Sequence, residues 1–353
     1  MLERQMNKER VTVDISVWSV LKVILALILV ALVYYLREII ILVFIAFILT
    51  TTLEPTIDRL QRRKVPRGLA IAGSFAVIIS IVYLAFASII PKLSEQISVL
   101  AGNLPTIVQQ LGNQLFANNP QLASDLSNQA IEYAKNFRAS VPSGLVSGFF
   151  STAAGVFGFF VSVIAVLALT FYMLLEKVGA GRPIFKYIPV NEKNRAIHIF
   201  DKITKKLSNW LKGQFVLSGF IGVITYIVLM VVGLRDMALA LSLFAALMEL
   251  IPVIGPFIAL IPAALLALTI SPATAIAVMI AYLIIQQIEN HILVPQVMRK
   301  AVGLSPLVIL VGILIGAKVL GIIGILLAVP IIASLHVILE ELYGANSKTQ
   351  TRH

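Results

Sequence analysis

Apolar residues run in blocks long enough to cross a bilayer, and polar residues gather in the gaps between them. A membrane-crossing helix needs about 20 apolar residues. Residues 17–36 (VWSVLKVILALILVALVYYL) meet that length, with Lys22 near one end, where its ammonium can reach the headgroups. Residues 39–53 form a shorter run that Pro55 is predicted to stop, and 68–90 form a third span predicted to end at Pro91. The uncharged stretch 144–175 supplies a fourth span, and 213–234 a fifth. Beyond 237 the chain is almost continuously apolar but broken. Residues 237–270 are interrupted by Glu249-Leu250-Ile251-Pro252-Val253-Ile254-Gly255-Pro256, 273–294 form another span, and 304–339 are too long for one crossing.

Residues 91–145 follow a different rule. Leu93, Ile97, Leu100, Leu104, Ile107, Leu111 and Leu115 recur every three or four positions, the period of an amphipathic helix. Leu122, Leu126, Ala130, Tyr133 and Phe137 continue it, punctuated by Pro105 and Asn119-Pro120. The pattern predicts an extracytoplasmic helical arm, serving either as a connector laid on the bundle or as a docking or oligomerising element.

Charge then orients the spans, because short loops rich in Lys and Arg stay cytoplasmic. Loop 54–67 sets Arg59, Arg62, Arg63, Lys64 and Arg67 against Glu54 and Asp58, and the polar segment 176–212 is also strongly basic. The arm balances Lys92, Lys135 and Arg138 with Glu95, Asp125 and Glu132. Both basic segments are therefore expected inside, the arm outside, and both termini in the cytoplasm. Counting forward, 213–270 and 273–339 each read as one span followed by a broken hairpin, entering the membrane from opposite sides. That is the inverted-repeat layout of secondary transporters; plain hairpins with packing glycines are the other reading. The organisation expected is spans one to three over 1–90, the arm over 91–145, a fourth span and basic segment over 146–212, a transport core over 213–339 and a cytoplasmic tail over 340–353.

Within that core a few residues can carry chemistry. Pro252 and Pro256 lack amide hydrogens and Gly255 admits unusual backbone, so the break cannot be regular helix. Its freed backbone groups could hold a polar solute or cation, or it could simply be a tight turn. Glu249 abuts the break. Gln286, Glu289 and Asn290 fall on one helix face if the helix is regular. Such groups at membrane depth mark a solute, proton or cation path, unless they lie at the membrane end and meet headgroups. Lys318 is read at a hairpin tip or snorkelling to the surface. Gly312, Gly316, Gly321 and Gly324 suit close helix packing, and Pro330 interrupts the last apolar run.

Composition agrees with this reading. Residues of the AVILMFWYC set make up 59% of the 353 and charged residues 13%, and the mean hydropathy is +0.96; soluble domains carry about 25% charged residues. The net charge of +11 is accounted for by cytoplasmic loops and anionic lipid, so no nucleic-acid partner is expected. There is no cysteine. The N-terminus lacks a cleavable signal layout, so the first run reads as a retained anchor. HExxH, GxSxG and Walker loops are missing, and the four histidines are scattered, so neither an enzyme, a metal site nor a cofactor is expected.

The order GQFVLSGFIG, ELIPVIGPFIALIPA, QxxENHILVPQV and GLSPLVILVGILIGAKVLGIIGILLAVPIIA resembles the AI-2E family of transporters. The resemblance covers nearly the whole chain. It implies an all-α, polytopic inner-membrane protein of roughly eight crossings, counting hairpins loosely. It implies export of a small polar molecule such as an autoinducer-2-like signal, or sodium or lithium–proton antiport. It also implies a homo-oligomer, with a pentamer among the candidate assemblies. Carried over by position, its residues are Gly213, Gln214, Pro252, Gly255, Pro256, Glu289, Asn290, Pro295, Gly303, Pro306, Gly321, Gly324 and Pro330. Arg299 departs from the family's glycine, so that loop need not be as flexible. Three functions stay open: an exporter working by alternating access, an antiporter with Na+ or H+ exchanging at Glu289 or Glu249, and a non-transport scaffold that binds an envelope partner through 91–145.

Overall fold

The computed structural model describes residues 17–115, 153–176, 184–301 and 303–349, with positions 121, 124, 128, 129 and 132 between them. The described residues are helical, with no strand among them. In order they form α1 (Val17–Tyr35), α2 (Arg37–Arg62), α3 (Arg67–Leu115), α4 (Ala153–Leu175), a 3-10 turn (Ile184–Tyr187), α5 (Val190–Val232), α6 (Arg235–Met248), α7 (Gly255–Leu268), α8 (Pro272–Ile288), a π-helical turn (Glu289–Leu293), α9 (Val294–Ala301) and α10 (Pro306–Thr349). Among the described residues, five helices are long and apolar enough to cross a membrane: α2, the first half of α3, α5, α8 with its extension, and α10. Shorter apolar helices are Val20–Tyr35, Val161–Leu175 and Gly255–Leu268. The protein is thus a multi-pass, all-α membrane protein.

The chain divides into two compact units, Met1–Ile45 and Ala46–His353. In the first, α1 leaves its valine, isoleucine and leucine side chains largely exposed, the arrangement lipid favours over water. The second unit holds the buried core.

Two prolines that the pattern reads as stops are absorbed instead. α2 runs past Pro55 to Arg62, and α3 runs past Pro91 and Pro105 to Leu115. An internal proline forfeits one ladder hydrogen bond and crowds the preceding turn, at about 3 kcal/mol. Beyond Pro55 that cost is offset by packing. Ile57 is fully buried with Ile71 and Leu174. Arg67 donates to Asp58 Oδ1 at 2.7 Å and to the Leu174 carbonyl at 2.7 Å, tying α2, α3 and α4 together. The first half of the arm is therefore a direct continuation of the third span. Its second half, from Leu122 onward, lies almost wholly outside the described residues.

The polar segment before the fifth span is helical too, so α5 is one 43-residue rod. At its basic end Arg195 donates to the Glu341 carbonyl at 2.8 Å, and Lys202 pairs with the Glu341 carboxylate, fastening α5 to α10. At its other end Gly233, with φ 103°, closes the helix and turns the chain into α6.

α6 and α7 form the first hairpin. Each has 14 residues, ~21 Å of helix, short of the ~30 Å hydrocarbon core. Small side chains (Ala238, Ala240, Ala245, Ala259, Ala263, Ala267) are buried in and around it with Leu241, Leu266 and α8's Val278. Ser271 caps α8, its Oγ accepting from the Thr274 amide at 3.0 Å, with Pro272 at the first helical position.

The second hairpin is hidden inside α10. At Gly321 the backbone takes φ 64° and ψ −139°, which breaks the helix. The chain then doubles back, so that a side chain at Gly316 or Gly324 would collide with the other's backbone and one at Gly312 with Ile332. Ile313, Ile325 and Ala328 form the seam, and Ile251 from the first hairpin's turn packs on it. Gly312, Gly316 and Gly324 therefore sit where the two arms pack closely. Gly321 differs: nothing crowds it, and its backbone conformation makes glycine the residue that fits. The tip is at Gly321, and exposed Lys318 lies in the turn before it.

Candidate functional site

The site forms where the first hairpin's turn meets α5 and the end of α8. Residues 249–254 leave the helix because Pro252 cannot continue it, and the turn then satisfies itself. The amides of Glu249, Leu250, Ile251, Ile254 and Gly255 donate to Ala245, Leu247, Met248, Pro252 and Ile251 carbonyls at 2.8–3.1 Å. These five backbone amides are thus occupied within the turn. Gly255 is needed for space, since a Cβ there would overlap the Met248 carbonyl. The left-handed residue of the turn is Val253, at φ 69°. The sequence reading gave the unusual backbone to Gly255; the structure moves it two residues earlier. Strain of this kind at a β-branched residue costs on the order of 1–3 kcal/mol and is concentrated at functional sites.

What the turn presents is the Glu249 side chain. It is 3% exposed, and its backbone carbonyl accepts from Gln214 Nε2 on α5. Its partner comes from α8. The π-helical turn Glu289–Leu293 precedes Pro295, which has no amide hydrogen for the His291 carbonyl. The wider turn relieves the crowding a proline ring brings, and the Val294 amide reaches back to the Glu289 carbonyl. Glu289 is 6% exposed, accepts from Gln286 Nε2 at 3.1 Å, and lies beside the Glu249 carboxyl. Glu249 Oε2 is buried with no donor of its own.

The residue types predicted from the sequence are therefore partly assembled. Glu249, Glu289 and Gln286 meet, although Glu249 lies 40 positions from Glu289 and no spacing rule joins them. Asn290 does not join them: the π-helical turn changes the helical register and leaves it exposed. Pro252 and Pro256 shape the turn, Pro256 sitting in the first turn of α7. Gly213 lets α9 approach α5, its missing Cβ lying 3.2 Å from Val297 and 3.3 Å from Met298. Gly303 has φ 66° and Pro306 starts α10, so both act in the connection between α9 and the second hairpin. Pro330 lies in the returning arm, its carbonyl accepting from Ser334 Oγ at 2.8 Å.

The profile of the AI-2E family transporter matches residues 23–344, almost the whole chain. The chain belongs to the AI-2E transporter family. Relatives named for transport align along most of their length. YueF of Bacillus subtilis (strain 168) is 29% identical over 301 residues, covering 82% of this chain and 80% of YueF. YrrI of the same organism is 27% identical, covering 85% and 84%. A protein of Mycobacterium tuberculosis (strain CDC 1551 / Oshkosh) is 27% identical, covering 93% and 90%.

In this AI-2E transporter chain the sequence reading left several contributors unassigned. Gln214 entered by resemblance as a packing residue, yet it binds the turn that carries Glu249. Tyr282, Ser218 and Thr225 were not singled out, although all three are buried with unpartnered hydroxyls. The signal was present in the spacing: Gln214, Ser218 and Thr225 share one face of the fifth span.

Proposed function

We propose that the chain exports a small polar molecule across the bacterial inner membrane by alternating access, with the Glu249–Glu289 pair as the central binding site. The observation that carries this is a pair of carboxyl groups buried where the first hairpin's turn meets the end of α8, with one oxygen left unpartnered. Burying such groups without a partner is costly, and sites that persist despite that cost serve a ligand or a proton. Movement of the first hairpin away from α5 and α8 would expose the pair to one side at a time. The second hairpin, packed on the first through Ile251, would follow or resist that motion. Both termini face the cytoplasm in this reading, and the arm 91–145 lies outside. The substrate is of the autoinducer-2-like class or a related polar metabolite.

The test compares extracellular and intracellular metabolites in a deletion strain and its complemented counterpart. Export predicts that at least one polar metabolite is retained in the deletion strain and released again by wild-type chain, but not by Glu289→Gln. No difference for any such metabolite would remove the reading.

The same pair favours a second reading, a Na+(Li+)/H+ antiporter, because a buried carboxyl group can exchange a proton for a cation. Inverted vesicles with a pH-sensitive dye separate the two. Sodium-dependent proton release abolished by Glu249→Gln or Glu289→Gln supports exchange, and its absence in wild type excludes it.

A further inference from the structure

Among the described residues, hydroxyls in spans or candidate spans commonly bond back to their own helix. Thr50, Thr52, Ser74, Ser88, Thr170 and Ser334 each donate to the carbonyl four residues earlier. That back-bond is the ordinary way for a serine or threonine to satisfy itself in a membrane helix. The hydroxyls on the inner face of α5 behave differently. Ser208, Ser218 and Thr225 are 6%, 8% and 1% exposed, and their oxygens have no hydrogen-bond partner. Thr204 Oγ1, one turn before Ser208, is likewise buried and unpartnered.

Gln214, Ser218 and Thr225 lie on one stripe, spaced by four and seven residues; Thr204 and Ser208 lie about 80–120° round the helix from Gln214. From Gln214 to Thr225 the stripe runs ~16 Å, about half the depth of a bilayer core. At its start Gln214 binds the Glu249 carbonyl, and Glu249 Oε2 is likewise unpartnered. Tyr282, whose hydroxyl is also unpartnered, belongs to the same core cluster as Ile221 and Leu229, the residues flanking Thr225 on that face.

We infer that this stripe is the polar lining of the translocation path, and that the structure shows it closed. The inference rests on the transport reading and assigns residues that reading did not use. A hydroxyl both donates and accepts, so the stripe suits a non-anionic solute with its own hydrogen-bonding groups; the carboxyl groups near its start disfavour an anion. When the first hairpin leaves α5, water and solute supply the bonds missing in the closed state.

The chain contains no cysteine, so single thiols can be placed without background. The probe is a charged, membrane-impermeant methanethiosulfonate applied to membrane vesicles of both orientations. Ser218→Cys and Thr225→Cys are compared with Val216→Cys, Phe220→Cys and Ile227→Cys, whose residues are 47%, 50% and 55% exposed on the outer face of the same helix. Thiolates form in water and not in lipid, so the stripe positions should react about tenfold faster or more. Equal rates, or stripe thiols silent in both orientations yet reactive after denaturation, would overturn the inference. Thr225→Val supplies the second measurement. It removes the hydroxyl without changing shape, so a lining role predicts an unchanged or higher unfolding temperature, and a lower one would show the hydroxyl to be structural. Silent thiols with export intact would end the stripe alone. Reactive thiols with no exported metabolite would end the transport reading and leave a hydrated cleft.

Discussion

The two hairpins solve the same problem in different ways. Each turns an apolar chain back on itself within the second unit. The second does so at one residue, Gly321, whose missing side chain makes the turn cheap, and zips its arms with Gly312, Gly316 and Gly324. The first takes a six-residue turn, with two prolines in and beside it, a valine at φ 69° and a buried glutamate. A turn built for stability alone would resemble the second. The first retains strain and a buried acid where a glycine and an apolar residue would be more stable, which is the pattern of a working site.

The largest effect should come from breaking the glycine zipper. Gly324→Val would drive a branched side chain into the Gly316 backbone, which cannot yield without parting the arms. The expected loss is more than about 4 kcal/mol, read as failure to accumulate folded protein in the membrane. Gly255→Ala in the first hairpin is the matched perturbation. One methyl group against the Met248 carbonyl should cost about 2–3 kcal/mol, read as a lowered unfolding temperature in detergent. If Gly324→Val were tolerated better than Gly255→Ala, the contrast between a rigid and a working hairpin would be reversed.

Much of this architecture was legible in the apolar pattern. The hairpin between 304 and 339 followed from a run too long for one crossing, and the break at Ile251–Pro256 from its prolines. Pro55 and Pro91 misled because local propensity was outweighed by packing that sequence spacing does not display, such as Arg67 reaching both Asp58 and the Leu174 carbonyl. In the site, Glu249 and Glu289 were each visible as acids among apolar residues. Their contact was not, because it depends on tertiary folding. Asn290 was assigned to the Glu289 face on a regular helical period, and the π-helical turn before Pro295 invalidates that period locally.

A smaller effect, of opposite sign, should follow from relaxing the strained turn. Val253 is half exposed and holds positive φ in the first hairpin, whereas the second places glycine at its tip. Val253→Gly should raise stability by about 1 kcal/mol, read from unfolding in detergent. If strain helps the turn release Glu249, the same substitution slows export. A gain in stability with unchanged export would confine the strain to an accident of the turn. A loss of stability would show that the valine's contacts outweigh its backbone.

The smallest effect is expected at Asn290, and it tests whether the polar cluster ends where the structure places it. Asn290 is exposed, while Gln286 donates to the buried Glu289 carboxyl. Asn290→Ala should therefore change stability by less than about 0.5 kcal/mol and leave export unaltered. Gln286→Ala, by contrast, removes the 3.1 Å hydrogen bond to the buried Glu289 carboxyl and should slow export severalfold, read as metabolite released over time by the variant strain. Should Asn290→Ala instead abolish export with Gln286→Ala silent, the exposed face of the π-helical turn would be the functional one, and the first hairpin's buried acid would lose its claim to the centre of the path.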